Sequence, residues 1–189
     1  MKQIRSKKDS ILFMKEEKLN FFPLETFDKS DVKGIKNFFD ENNESEYVLR
    51  SADSAKGQFY FVSSFGQAEK ILPLFEKNLT ISVSYNPYKK DIILLGDIKV
   101  LKNNNGAVID LTARDDENAT HRNIYENAKY NIHCDEQADE LWNIKGIDKI
   151  LGYIAKHDLF GYVVEFAVYS KKIGINKEDV VISEIRTNY

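Results

Sequence analysis

Apolar positions recur along the chain in two rhythms, every second residue and every third or fourth, and segments of each kind alternate. The short apolar run SILFM is followed by KEEKLNFF, which reads as one or two helical turns before Pro23, and LETF then reads as extended. Val32, Ile35, Phe38 and Phe39 fall on one face of a helix that Ser30 can cap. EYVLRSA and GQFYFVSS read as strands, and GQAEKILPLFEKN as a helix burying Ala68, Ile71, Leu72 and Phe75. LTISVSY alternates, with Leu79, Ile81, Val83 and Tyr85 on one face. DIILLGDIKVLKNNNGAVIDLTA predicts a hairpin turning at Asn103–Gly106, kinked or bulged at Gly96. Residues 114–139 are polar and read as a long loop with a helix near 118–128. GIDKILGYIAKHDLF predicts a helix burying Ile147, Ile150, Leu151, Ile154 and Phe160 and stopping at Gly161. Two strands, GYVVEFAVYS and DVVISEIRTNY, close the chain. Mixed strands and helices predict an α+β domain. The expectation is one compact unit over 1–189, or two lobes at about 1–75 and 76–189.

The closing strands carry the candidate chemistry. Alternation puts Glu165 on a face with Val163 and Ala167, and Glu184 and Arg186 on a face with Val180 and Ile182. A carboxylate on an apolar strand has to be paired, metal-bound or turned to a polar cavity, because desolvating a lone charge is costly. Two carboxylates with an arginine beside one suit a Mg²⁺–triphosphate, since hard cations take oxygen ligands and arginine takes phosphate. A solvated sheet face with an ordinary Glu–Arg pair is the plainer alternative.

Charge and cysteine content narrow the function classes. The 189 residues carry a formal net charge of −3, which disfavours nucleic acid or an anionic membrane as partner. The basic run KQIRSKK reads as a solvated start. One cysteine and no signal-peptide pattern point to a reducing cytoplasm, and no apolar stretch is long enough to span a membrane. His133 and Cys134, adjacent on a strand, would face opposite sides, so they make a poor metal pair. A Cys–His nucleophile pair there would have nothing to orient it. His121 and Arg122, in DDENATHRN, suit a lid or, more simply, a solvated loop. His157 falls at a helix C-terminus, where the macrodipole favours a cation.

Four segments in order, FMKEEKLNFFPLETF, LRSA, VVEFAV and SEIRTN, resemble the nucleotide-binding domain of the phosphoenolpyruvate synthase and pyruvate phosphate dikinase family. That domain is of ATP-grasp type, so the resemblance implies an ATP-grasp-like α+β fold with a largely antiparallel sheet. It implies Lys15 and Arg50 as contacts to ATP phosphates, Glu165 and Glu184 as Mg²⁺ ligands, and Arg186 as the group stabilising charge on the transferred phosphoryl. Phe13 and Met14 stand where the family has two glycines, and Val163 where it has an acid. The function implied is ATP and Mg²⁺ binding, with phosphotransfer to, or ligation of, a small-molecule acceptor. A non-catalytic binding or regulatory module is the alternative.

Overall fold

The computed structural model describes residues 2–52, 59–104, 106–115 and 127–187. The segment expected as a helix near 118–128, with His121 and Arg122, lies almost wholly outside them. The chain divides into one unit of residues 1–21 with 89–189, and a second of residues 22–88. The expected division at 75/76 therefore falls elsewhere, for a topological reason. Strand 78–83 completes the sheet of the second unit, while the N-terminal helix belongs with the C-terminal strands.

In the second unit, β1 (Leu24–Asp28), β2 (Tyr47–Ser51), β3 (Phe59–Val62) and β4 (Asn78–Val83) form an antiparallel sheet in the order β1-β4-β2-β3. Leu79, Ile81 and Val83 alternate with half-buried Thr80 and Ser82, as the sequence predicts. They join a core with Ile35, Phe38 and Phe39 of α2 (Val32–Asn42). That helix is capped by Asp31, whose side chain accepts from the Gly34 N–H, and not by Ser30. Ser30 instead bonds Asp28 in the preceding turn. Helix α3 (Phe65–Ile71) ends where Pro73 begins to constrain the backbone, and Leu72–Leu74 tighten into a 3₁₀ turn.

In the first unit, β5 (Ile92–Asn103), β6 (Gly106–Arg114), β7 (Tyr130–Asp135), β8 (Val163–Ile173) and β9 (Glu178–Arg186) form an antiparallel sheet ordered β7-β6-β5-β8-β9. The hairpin pairs Asn103 with Gly106, as expected. Gly96 is neither bulge nor kink. A Cβ there would stand 2.4 Å from the Thr112 carbonyl oxygen, so glycine is what lets β5 and β6 lie this close. Strand β7 replaces part of the expected loop; its alternation of half-buried and exposed residues makes a weak signal. Among the described residues this unit carries the α-helices α1 (Lys7–Glu16), the single turn α4 (Asp139–Trp142) and α5 (Ile147–Lys156). Among the described residues no helix is long and apolar enough to cross a membrane.

His157 stands at the C-cap of α5 and packs its ring, tilted by 31°, against Tyr153 at 4.4 Å between centroids. Burial, seconded by Lys156, holds its pKa below the usual histidine range, outweighing Glu178 and Glu17. Desolvation thus overrides the macrodipole. The unfolded chain takes up a proton below about pH 6.5 that the folded chain resists, so stability is expected to fall as pH drops through that value. Urea unfolding at pH 7.5 and 5.5 checks this. The loss on acidification should be smaller in His157→Gln than in wild type, and an equal loss would assign it to other groups.

Candidate functional site

The register of the five-stranded sheet lines up whole rows of side chains. Ile132, Leu111, Ile98, Val164 and Ile185 are mutual partners across all five strands and build the apolar face. One residue along, the partners are Asn131, Thr112, Asp97, Glu165 and Glu184, on the opposite face. Beyond them come His133, Asp110, Lys99, Val163 and Arg186. Three carboxylates therefore occupy adjacent positions on adjacent strands. Directly opposed residues in a sheet have Cβ atoms about 4.5–5.5 Å apart, close enough for their side chains to interact.

The face expected for β9 needs correction. Glu184 pairs with Glu165, but Ile182 pairs with Phe166, so β9 advances two residues while β8 advances one. This bulge at Ser183 breaks the alternation. Glu184 and Arg186 are thereby turned to the polar face, while Val180 and Ile182 join the apolar one rather than sharing theirs.

The outer edge of β9 is held by the N-terminal segment. Ser10, fully buried in α1, accepts from the Ile185 N–H at 2.8 Å. Ile4 and Thr187 bond each other through backbone and hydroxyl. A capping box between Ser6 and Asp9 starts α1 beside this edge. Lys7, in its first turn, reaches Glu184 Oε2 at 2.7 Å and the Ser183 carbonyl at 3.1 Å. Arg186 Nη2 lies 3.1 Å from Oδ2 of Asp97, a residue only 4% exposed. Beside these ion pairs opens a pocket of about 360 Å³ lined by Arg5, Ser6, Lys7, Glu184, Arg186 and Thr187, among others.

The five expected site residues are distributed as follows. Glu165, Glu184 and Arg186 come together on one face of one sheet. Lys15 is exposed in the last turn of α1, about 12 Å along the helix axis from Lys7. Arg50 belongs to the second unit, exposed at the end of β2, where it pairs with Thr80 and Phe59. Sequence reasoning missed Asp97, Lys7 and Arg5. Asp97 carries the same signal as Glu165, an acid inside the apolar run IILLGDIKV. Lys7 and Arg5 were legible only as part of a basic start.

Two carboxylates on opposed strands fit a small, hard divalent cation, which is held by one or two carboxylates and completes its shell with water and phosphate. Among the described residues no three His, Cys, Asp or Glu side chains gather closely enough to form an all-protein cage. Asp97, the third acid of the row, is turned to Arg186. His133 and Cys134 add no nucleophile. His133 Nδ1 is bonded to Asp110, and the Cys134 thiol is pushed up by burial, then by Glu140 and Asp135.

No family model matches the chain, and neither does any curated protein. Solved structures do. N5-carboxyaminoimidazole synthase from Aspergillus clavatus, in complex with ADP and 5-aminoimidazole ribonucleotide, superposes with a TM-score of 0.56 at 12% identity, over 99% of this chain and 45% of that one. D-alanyl-alanine synthetase A from Vibrio cholerae gives 0.52 at 11%, over 96% and 55%. The D-alanine-D-alanine ligase from Coxiella burnetii gives 0.50 at 13%, over 95% and 46%. The chain spans about half the length of these proteins. Its two antiparallel sheets with their packed helices are those of the ATP-grasp ligases: the fold is α+β, of ATP-grasp type.

Proposed function

We propose that this chain binds a nucleotide together with Mg²⁺ and directs the nucleotide's terminal phosphate to a small-molecule acceptor, as a ligase or phosphotransferase. The observation that carries the reading is the direct opposition of Glu165 and Glu184 on β8 and β9, flanked by Lys7 and Arg186. Solved neighbours sharing the fold include enzymes crystallised with ADP or ATP. Glu165 and Glu184 are proposed to hold Mg²⁺, which when bound would neutralise phosphate charge. Lys15 and Arg50 are proposed as contacts to nucleotide phosphates, lysine as a point charge and arginine as a fork. Arg186 is proposed to steady charge developing on the transferred group, held in place by the buried Asp97 carboxylate. In such chemistry the protein chiefly positions the reactants and compensates their charge.

The likeness of LRSA, VVEFAV and SEIRTN to the phosphoenolpyruvate synthase family is the finer reading within this fold. The solved neighbours act on other substrates, so we propose the acceptor only as a small metabolite, and the compartment as the cytoplasm. A second reading, a binding module without turnover, is favoured by one observation. Asp97 and Glu184 are already compensated by Arg186 and Lys7.

Titration calorimetry with ATP, with and without Mg²⁺, tests the proposal. ATP should bind more tightly with Mg²⁺, and at 100 times its dissociation constant should stabilise the fold by about 2.7 kcal/mol. Glu165→Gln should remove most of the Mg²⁺-dependent gain, a loss of about tenfold in affinity or about 1.4 kcal/mol. No binding of ATP, ADP or GTP at millimolar concentration would refute a nucleotide function. Binding without turnover towards any acceptor would favour the module.

A further inference from the structure

The pocket beside α1 joins two opposite demands. Arg5, Lys7 and Arg186 are among the residues that line it, and the N-terminal end of a ten-residue helix adds its partial positive charge. Asp9, the acid of that first turn, has its carboxylate turned to the N–H groups of Arg5 and Ser6. The carboxylate that lines the pocket is Glu184, and its Oε2 holds the Lys7 ammonium at 2.7 Å. Yet Glu184 is also the proposed cation ligand. A divalent cation on Glu184 and an ammonium on the same oxygen repel each other.

Lys7 stands where it can change partner. Its side chain is 43% exposed, and its other bond is to the Ser183 carbonyl, a neutral acceptor. Solvent screens an ion pair this exposed, so it exchanges readily. We propose that the Lys7–Glu184 pair is an exchangeable latch: neutralising Glu184 releases Lys7 to an oxyanion bound in the pocket with Arg5 and Arg186. The inference rests on reading Glu184 as a cation ligand. By linkage, cation and oxyanion then promote each other's binding by the same factor. The oxyanion is a phosphate or carboxylate group, from the nucleotide's tail or from an acidic acceptor.

The test uses sulfate as probe, followed by amide chemical shifts of residues 3–7 and 184–187 in the full chain at constant ionic strength. In metal-free buffer Glu184→Gln should bind sulfate about fivefold or more tightly than wild type. Lys7→Gln should bind it weakly, and adding Glu184→Gln to that variant should recover far less than it gains alone. Lys7→Arg should keep the response. Mg²⁺, with its sulfate complex accounted for, should tighten sulfate binding to wild type but not to Glu184→Gln. Unchanged or weaker binding by Glu184→Gln, or no sulfate binding by any variant, overturns the latch. A Mg²⁺-dependent tightening of the same size in wild type and Glu184→Gln also overturns it. A tighter Glu184→Gln with no Mg²⁺ effect sinks the cation reading of Glu184 and leaves the latch standing, since that comparison contains neither metal nor nucleotide. Displacement of sulfate by metal-free ADP or by succinate supports the proposal and identifies the oxyanion's source, whereas displacement by neither overturns it.

Discussion

Replacing Asn20 with alanine is expected to lower the unfolding free energy by about 3 kcal/mol, as several buried backbone groups lose their partner together. Asn20 is fully buried just beyond α1. Its Nδ2 donates to the carbonyls of Ile173 at 2.9 Å and Val180 at 2.7 Å, on the two strands that form the closing hairpin. Its Oδ1 accepts from the Asn176 N–H at 2.9 Å, in the turn between them. The turn runs through Gly174 at φ +79°, where a Cβ would lie 2.4 Å from that same Oδ1. Side chain and turn are thus built against each other, and alanine leaves two carbonyls and an N–H without the groups that satisfy them. Asn20 also accepts from the Ile182 N–H through its own backbone carbonyl, a bond that alanine keeps, so the expected loss is that of the side-chain amide alone. Urea denaturation measures the effect, and a loss under about 1 kcal/mol would show that water replaces the amide without penalty.

This lock also explains why the N-terminus was poorly legible in the sequence. Strands whose two faces differ announce themselves locally, as β4 and β6 do. α2 and α5 announce themselves by their apolar stripes. What KQIRSKKDSILFMKEEK does not display is that its helix is docked along the edge of a strand more than 160 residues later. The Ser6-x-x-Asp9 box was a readable helix start, since it is a purely local device. The partner of Ser10 was not, because one buried hydroxyl has no signature in spacing.

The candidate site divides the same way. Glu165 and Glu184 stood out because an acid conflicts with the apolar run around it, and that conflict is local. The bulge that turns Glu184 to the polar face is marked by no glycine or proline at Ser183. Simple alternation therefore placed Glu184 and Arg186 together correctly but gave them the wrong companions. Lys7 reached the site through tertiary packing alone. Asp97 was within reach of the same argument as Glu165, since burying it demands a cation.

That demand makes Arg186→Ala the second large effect. Asp97 is 4% exposed, and Arg186 is 30% exposed with Nη2 at 3.1 Å from it. Removing the arginine from a pair whose carboxylate is buried takes away the nearest compensating charge, which costs on the order of 3 kcal/mol. Arg186→Ala is therefore expected to destabilise the fold by about that much and, on the proposed catalytic reading, to lower turnover as well. The double variant Asp97→Asn with Arg186→Ala should recover a large part of the loss, since asparagine takes Asp97's place without its charge. In a double-mutant cycle followed by urea unfolding, the coupling should be about 1 kcal/mol or more, whereas additive losses would mean that the pair contributes little. The same two variants separate structure from chemistry. If Arg186 serves only to compensate Asp97, the double variant regains activity together with stability. If Arg186 also steadies charge on the transferred group, stability returns while turnover stays low and nucleotide affinity stays near wild type.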